Sequence, residues 1–220
     1  MDAMNKPLKI DFVSDIACPW CAIGLASLDE ALRRLGSEVP VELHFQPFEL
    51  NPNMPPGGQD IGEHLREKYG STPEQQAGAR ENIRQRGAAL GFEFRKEGRG
   101  RVWNTFNAHR LLHWAGLEGP QAQYALKKAL LQAYHGEARV MEDLEVLAQA
   151  AEAAGLDGAR AREILAGEEY ADQVRERESY YVDHGIHAVP SVIINDKHLI
   201  QGGQPPEVFE QALRQIAAQG

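Results

Sequence analysis

Cysteine is nearly absent from this 220-residue chain, which has two, Cys18 and Cys21. A secreted disulfide scaffold would spread more of them along its length, so that class is excluded. Long apolar runs are missing too, and none approaches the ~20 residues that cross a bilayer as a helix. Positive charge is in deficit: 23 Lys and Arg stand against 32 Asp and Glu, a formal net charge of −9. Such a chain repels phosphate backbones, so neither nucleic acid nor membrane is an expected partner. The stretch from Met1 to Val13 has no signal-peptide core, because Lys6, Lys9 and Asp11 interrupt it; a cytoplasmic location is expected. No Gly-rich phosphate loop follows a strand pattern and no G-x-S-x-G elbow occurs. No period of roughly 20–50 residues marks a repeat architecture. What is present is ordinary globular composition, 43% hydrophobic and 25% charged, enough for one generous domain or a small domain with an insertion.

The order of elements is more informative. Leu8 to Val13 alternates as a strand with a buried face. Beyond Cys18-Pro19-Trp20-Cys21, Leu25, Leu28, Leu32 and Leu35 form one helical stripe that Gly36 can stop. Val39 to Phe48 predicts a second strand. Residues 51–58, rich in Pro, Asn and Gly, form a loop. From about Ile61 to Tyr181 no strand is expected. Helices are predicted over Glu63 to Tyr69, Glu74 to Leu90, Asn104 to Trp114, Gln121 to Tyr134, Glu142 to Ala154, Ala159 to Leu165 and Glu168 to His184. Leu144, Leu147, Ala148 and Ala151 should share one face, and Asp157 can cap the helix after it. The basic stretch Arg95 to Arg101 reads as a solvated loop rather than an anion site. Ser191 to Ile194 and His198 to Ile200 predict a hairpin across Asn195-Asp196-Lys197. Pro205-Pro206 opens a last helix with Phe209, Leu213 and Ile216 on one face. The sequence therefore reads βαβ, a long helical block, then ββα.

The C-x-x-C unit carries the chemistry. A redox dithiol requires a preceding strand, the first Cys at a helix start and a βαβ frame, and all three patterns are present. Unpaired N–H groups and the helix dipole stabilise a thiolate at Cys18. Cys21, three residues on, can resolve a mixed disulfide. Pro19 costs the first turn little, since its missing N–H would have had no partner there. Trp20 is either an aromatic rim for an apolar partner or a packing residue against the helical block. A structural zinc would need two further ligands; His109-x-x-x-His113 and His184-x-x-His187 have suitable spacing but lie far from Cys18, so no metal is expected. His109 and His113 read as packing or hydrogen-bonding residues. Pro190 before the hairpin reads as a strand start or, given the frame, as a cis-Pro turn beside the dithiol.

With these residues in place, the sequence resembles the DsbA-like branch of the thioredoxin fold. Asp15-Ile16-Ala17-Cys18-Pro19-Trp20-Cys21, Phe48-Glu49-Leu50-Asn51-Pro52, Asn104 to Arg110, Gln132-Ala133-Tyr134, Gly185 to Pro190 and Gly203-Gln204-Pro205 are similar to FrnE-type proteins. The resemblance implies an α/β fold, β-α-β…β-β-α with a large helical insertion. Residues 1–56 and 185–220 would form the thioredoxin-like domain and residues 57–184 the inserted one. It implies a thiol–disulfide oxidoreductase without cofactor, in which Cys18 attacks and Cys21 resolves. Pro19, Trp20, Val189 and Pro190 would bind substrate, Pro190 shaping the groove and the Val189 backbone pairing with an extended chain. The same branch holds 2-hydroxychromene-2-carboxylate isomerases and kappa-class glutathione transferases, which typically carry serine at the first cysteine position. A glutathione-dependent isomerase or transferase is therefore one alternative, and a peptide-binding chaperone another. Partners would be disulfide- or thiol-containing proteins or small molecules, with glutathione open.

Overall fold

A computed structural model of the chain describes residues 6–219. The first five residues and the last, which begin and end the expected thioredoxin-like domain, lie outside the described residues. Strand β1 (Leu8–Ser14) runs into helix α1 (Pro19–Leu35), and the chain returns along β2 (Val41–Pro47). The parallel pairing of β1 with β2 runs from Leu8 opposite Val41 to Ser14 opposite Pro47. The hairpin of β5 (Ser191–Ile194) and β6 (His198–Gln201) adds antiparallel to the other side of β1, giving the order β2-β1-β5-β6. Asn195 and Asp196 both take positive φ in its turn, at 53° and 55°, the conformation that this residue pair tolerates best outside glycine. Helix α9 (Pro206–Ala217) closes the unit beside α1. This is the expected thioredoxin-like α/β arrangement with its DsbA-like helical block.

The apolar stripes drive this packing. On α1, Cys21, Leu25, Leu28 and Leu35 are buried; on α9, Phe209, Leu213 and Ile216 are. They meet the inner faces of Ile10 and Phe12 on β1, and the Phe12 and Phe45 rings lie 5.7 Å apart. Each fully buried Leu or Phe contributes about 1.5–3 kcal/mol. Gly36 stops α1 with φ 53° while its N–H bonds Leu32 O.

Between β2 and β5 the chain forms β3 (Gln59–Asp60), α2 (Ile61–Tyr69), α3 (Pro73–Ala89), β4 (Arg101–Val102), α4 (Phe106–Glu118) and α5 (Pro120–Leu131). A π-helical turn (Gln132–Gly136), α6 (Leu144–Ala153), α7 (Gly158–Ala166) and α8 (Ala171–Asp183) complete it. Contrary to expectation a strand lies here, the two-residue β4 pairing with β3, too short for any alternating pattern. Helix α4 starts two residues later than predicted because Asn104 Oδ1 accepts from Phe106 N. The stretch to Tyr134 is not one α-helix, since its last turn widens after Leu131. Leu144 is exposed as the first residue of α6, whereas Leu147, Ala148 and Ala151 are buried as expected, together with Val146 and Ala150. Asp157 does cap α7, accepting from Ala159 N and Arg160 N. Gln123 on α5 ties this block to the sheet edge: its side chain accepts from Phe45 N and donates to Phe45 O and Leu112 O. No helix among the described residues is long and apolar enough to cross a membrane.

Candidate active site

The turn from β1 to α1 sets the geometry. Cys18 is the N-cap of α1 in extended conformation, with Pro19 opening the first turn. Its N–H bonds Asp15 O, and Cys21 N bonds back to Cys18 O, each at 3.1 Å. Both thiols are free; Cys18 is 5% exposed and Cys21 fully buried. Across the groove the Val189–Pro190 bond is cis, and Cys18 Sγ lies 3.8 Å from Val189 O. Glycine at position 24 lets Pro190 approach α1, because a Cβ there would stand 3.0 Å from Pro190 Cγ. Cys18, Cys21, Pro190 and Val189 are thus gathered at one point.

The two thiols differ in acidity. A hydrogen bond from Cys21 Sγ holds the Cys18 thiol below its ordinary value; burial opposes this, the backbone N–H of Cys21 helps, the Asp15 charge opposes, and Trp20 N–H helps. Burial, then the bond and charge of Cys18, push Cys21 well above its ordinary value. A low first thiol and a high second one suit attack by Cys18 with Cys21 in reserve.

Asp15 props this turn from below. Fully buried, it accepts from Ala17 N at 3.2 Å, Leu50 N at 2.8 Å and His109 Nε2 at 3.3 Å. Burial works against its charge, yet the His109 contact and the two backbone donors carry it below the usual carboxylate range. His109 therefore fills the hydrogen-bonding role expected of it, while His113 is half-buried with its ring 5.3 Å from that of Tyr170. His184 and His187 are exposed. Among the described residues no cluster of three His, Cys, Asp or Glu is placed to hold a metal ion.

Beside Cys18 opens a pocket of about 340 Å³, reached by Pro19, Trp20, Leu50, His64, Lys68, Arg80, Arg95 and Arg99. Trp20 lines this pocket, and the Arg86 guanidinium of α3 sits 5.3 Å over its ring, a packing contact with the helical block. The basic stretch is not a free loop. Arg99 donates to Ala17 O, lies 5.2 Å over the Tyr134 ring and faces the pocket. Segment 95–99 is pinned to the π turn by Arg95 N bonding His135 O. His135 Nε2 lies 2.7 Å from Ile16 O; burial, then the Arg99 charge, pull its pKa down to about 3, so the ring is a neutral donor. Arg99, His135 and the His109–Asp15 pair escaped the sequence reading. A π turn, common at functional sites, leaves no mark beyond helical periodicity.

Residues 9–214 match the DSBA-like thioredoxin domain family. The chain is 30% identical over 207 residues to the uncharacterized protein YwbO of Bacillus subtilis, covering 94% of this chain and 96% of that one. The crystal structure of the probable DsbA oxidoreductase SCO1869 of Streptomyces coelicolor superposes with a TM-score of 0.88 at 34% identity, over 97% and 91% of the two chains. The cytosolic disulfide reductase DsbM of Pseudomonas aeruginosa, solved with GSH, shares the fold at 18% identity with a TM-score of 0.61, over 96% and 99%.

Proposed function

The chain belongs to the DSBA-like thioredoxin domain family, and from that premise we propose that it is a FrnE-type thiol–disulfide oxidoreductase. The observation that carries this is the asymmetry of the two thiols: a Cys18 held acidic at a helix N-terminus, 3.8 Å from Val189 O, over a fully buried Cys21. The Cys18 thiolate attacks a substrate disulfide; a Cys18–substrate bond forms, the substrate S–S bond breaks and one substrate sulfur leaves as a thiolate. Cys21 then loses its proton and attacks Cys18 Sγ, closing Cys18–Cys21 and releasing the second sulfur. The enzyme dithiol is oxidised by two electrons and the substrate disulfide reduced; the reverse sequence oxidises a dithiol. Pro190 and the Val189 carbonyl shape the groove, with Pro19 and Trp20 on its rim. The division into a thioredoxin-like part (1–56 and 185–220) and an inserted helical part (57–184) belongs to this reading, as does a cytoplasmic location. There a reducing thiol pool keeps the dithiol mostly reduced.

A specific feature also favours small anionic thiols as substrates. The protein is acidic overall, yet Lys68, Arg80, Arg95 and Arg99 converge on the pocket beside Cys18, with Glu97 as its one carboxylate. That charge suits the carboxylates of glutathione, the GSH found with DsbM.

The test is Cys21→Ser. It leaves attack intact and removes the exit, so a covalent adduct with disulfide substrates should accumulate, visible by mass and reversed by a small thiol; Cys18→Ser should form none. Full turnover in Cys21→Ser would favour a glutathione transferase or isomerase, and no adduct in either variant a chaperone. Either result refutes the dithiol mechanism.

A further inference from the structure

One buried charge has no part in the scheme above. Lys127 on α5 is 1% exposed, whereas its neighbour Lys128 points to solvent and pairs with Asp29. Burying an ammonium without a counter-charge is costly, and a leucine would fill the same space without that cost. Among the described residues the Lys127 ammonium has no hydrogen bond and no ion pair, only the Phe45 ring at 5.7 Å. It borders a cavity of about 160 Å³ where β2, α4, α5 and α8 meet. Arg177 of α8 stands on the same cavity, exposed and likewise without an ion pair among the described residues. His113 of α4 and His44 of β2 line it too, and no Asp or Glu does. Glu42 is exposed and bonds His44 Nε2 at 2.7 Å from outside. Asp15 meets the cavity wall only through His109, and its oxygens are already engaged by Ala17 N and Leu50 N. In a chain of net charge −9, a cavity walled by two unpaired cations and no carboxylate concentrates positive potential at one point.

We propose that this cavity binds a small oxyanion with the chemistry of sulfate or phosphate, held by Lys127 from within and by Arg177 at the opening. An oxyanion carries several acceptor oxygens, so it takes N–H groups from α5, α8 and α4 at once. Arg177 offers a planar fork to two oxygens, and Lys127 a point charge. Burial, then the Arg177 charge, keep the His113 pKa below its ordinary value, and a neutral imidazole still presents one N–H. Gln123 is not a ligand here, because its amide is committed to Phe45 and Leu112. Water in a space this size would solvate the ammonium without offsetting its charge. The cavity shares no lining residue with the pocket at Cys18. The oxyanion therefore binds apart from the disulfide substrate, and the site does not depend on which reaction the dithiol performs. Its effect is to join the sheet edge to three helices of the block, so it stabilises the folded chain in proportion to its occupancy.

The test is a titration of the isotopically labelled full chain with sodium sulfate, sodium chloride holding the ionic strength constant. Nitrogen and proton resonances of Phe45, His113, Gly116 and Gln123 should shift together and saturate to one dissociation constant. Phosphate should produce the same pattern and compete with sulfate. Arg177→Gln should weaken binding about threefold, the worth of one exposed ion pair. Lys127→Met, which keeps the aliphatic stem, should weaken it about tenfold or more, the worth of a buried charge-assisted hydrogen bond. Glycerol 3-phosphate tells a free ion from the head of an ester. Binding no tighter than phosphate assigns the free ion, and tighter binding an ester whose body lies along the opening. Shifts that grow without saturating overturn the proposal, as do shifts confined to residues of the Cys18 pocket such as His64 and Arg99. Equal shifts on adding sodium chloride alone overturn the choice of an oxyanion. An unchanged dissociation constant in Arg177→Gln overturns the site as placed, and because Arg177 is exposed this variant decides even if Lys127→Met fails to fold.

Discussion

Glu49 should make the protein less stable as the solution becomes alkaline, and Glu49→Gln should remove that effect. Glu49 follows β2 beside Leu50, whose N–H holds Asp15 under the active-site turn. One of its oxygens accepts from Arg175, which also bonds Glu178 at 2.9 Å; the second oxygens of both carboxylates are buried without a partner. Burial, then the Glu178 charge, raise Glu49 to about 7 from the ordinary 4.5. The folded state therefore keeps a proton between pH 4.5 and 7 that the unfolded chain has released. The stabilisation is complete below the unfolded value and lost as pH rises through the folded one. At about 1.4 kcal/mol per pH unit this is worth about 3 kcal/mol, and solvent around half-exposed Arg175 screens it to about 2. His135 works in the opposite sense. Its pKa, lowered from 6.5 to about 3, makes stability fall by up to about 5 kcal/mol as pH drops through that window. The two slopes oppose each other between pH 4.5 and 6.5. Urea unfolding of both proteins at pH 5, 6, 7 and 8 separates them. Glu49→Gln should match the wild type at pH 5, exceed it by about 2 kcal/mol at pH 8, and lose stability more steeply on acidification below pH 6.5. Parallel curves from pH 5 to 8 would refute the reasoning.

Three further outcomes follow from the site. Asp15→Asn removes a charge that opposes the Cys18 thiolate, so the pH midpoint of Cys18 alkylation should fall. Its single acceptor oxygen cannot serve both Ala17 N and Leu50 N, so unfolding free energy should drop by about 2–4 kcal/mol; an unmoved or raised midpoint contradicts the electrostatic argument. Gly24→Ala drives a methyl against Pro190, which should lower stability by about 1–3 kcal/mol and slow disulfide exchange; a wild-type melting curve and rate would show that the contact yields freely. Arg99→Gln should raise KM for glutathione disulfide about fivefold, the worth of one screened ion pair, and leave uncharged hydroxyethyl disulfide unaffected; equal effects on both would place Arg99 in the scaffold alone.

The frame of the molecule was legible where local pattern decides it. Alternation in Leu8–Val13, the leucine stripe of α1, the Asn195-Asp196 turn and the proline-led last helix all act within a few residues, and each stands where expected. The dithiol was legible because its meaning depends on the strand before it and the helix after it. Its supports were not. Asp15 and His109 are 94 residues apart, and nothing near either one announces the other. Arg99 was read as solvated because its neighbours are charged, but the π turn brings Tyr134 and His135 beneath it. Buried Lys127 stands four residues after buried Gln123 and four before buried Leu131, on the inward stripe of α5. A lysine in an apolar stripe is more informative than a lysine in a charged run.

The arrangement around Asp15 shows why position outweighs acidity here. A carboxylate beneath a nucleophilic thiol works against the thiolate, so electrostatics alone would favour a neutral residue. Asp15 nevertheless accepts two backbone N–H groups from separate segments, Ala17 beside Cys18 and Leu50, 35 residues beyond Asp15, at the pocket wall. A neutral amide could accept only one while offering a donor to the other. The cost in Cys18 acidity is offset from elsewhere: the hydrogen bond from Cys21 and the N–H groups of the first turn lower the same thiol. The His109 contact from the helical block offsets the burial of that carboxylate. The helical block therefore does more than cover the thioredoxin-like sheet, because its His109 is one of the groups that let a buried acid hold the turn before α1 in place. Loosening α4 and α5 from β2, as Gln123→Leu would by orphaning Phe45 N and Phe45 O and removing the bond to Leu112 O, should consequently weaken Cys18 reactivity as well as stability, with no substitution near the dithiol.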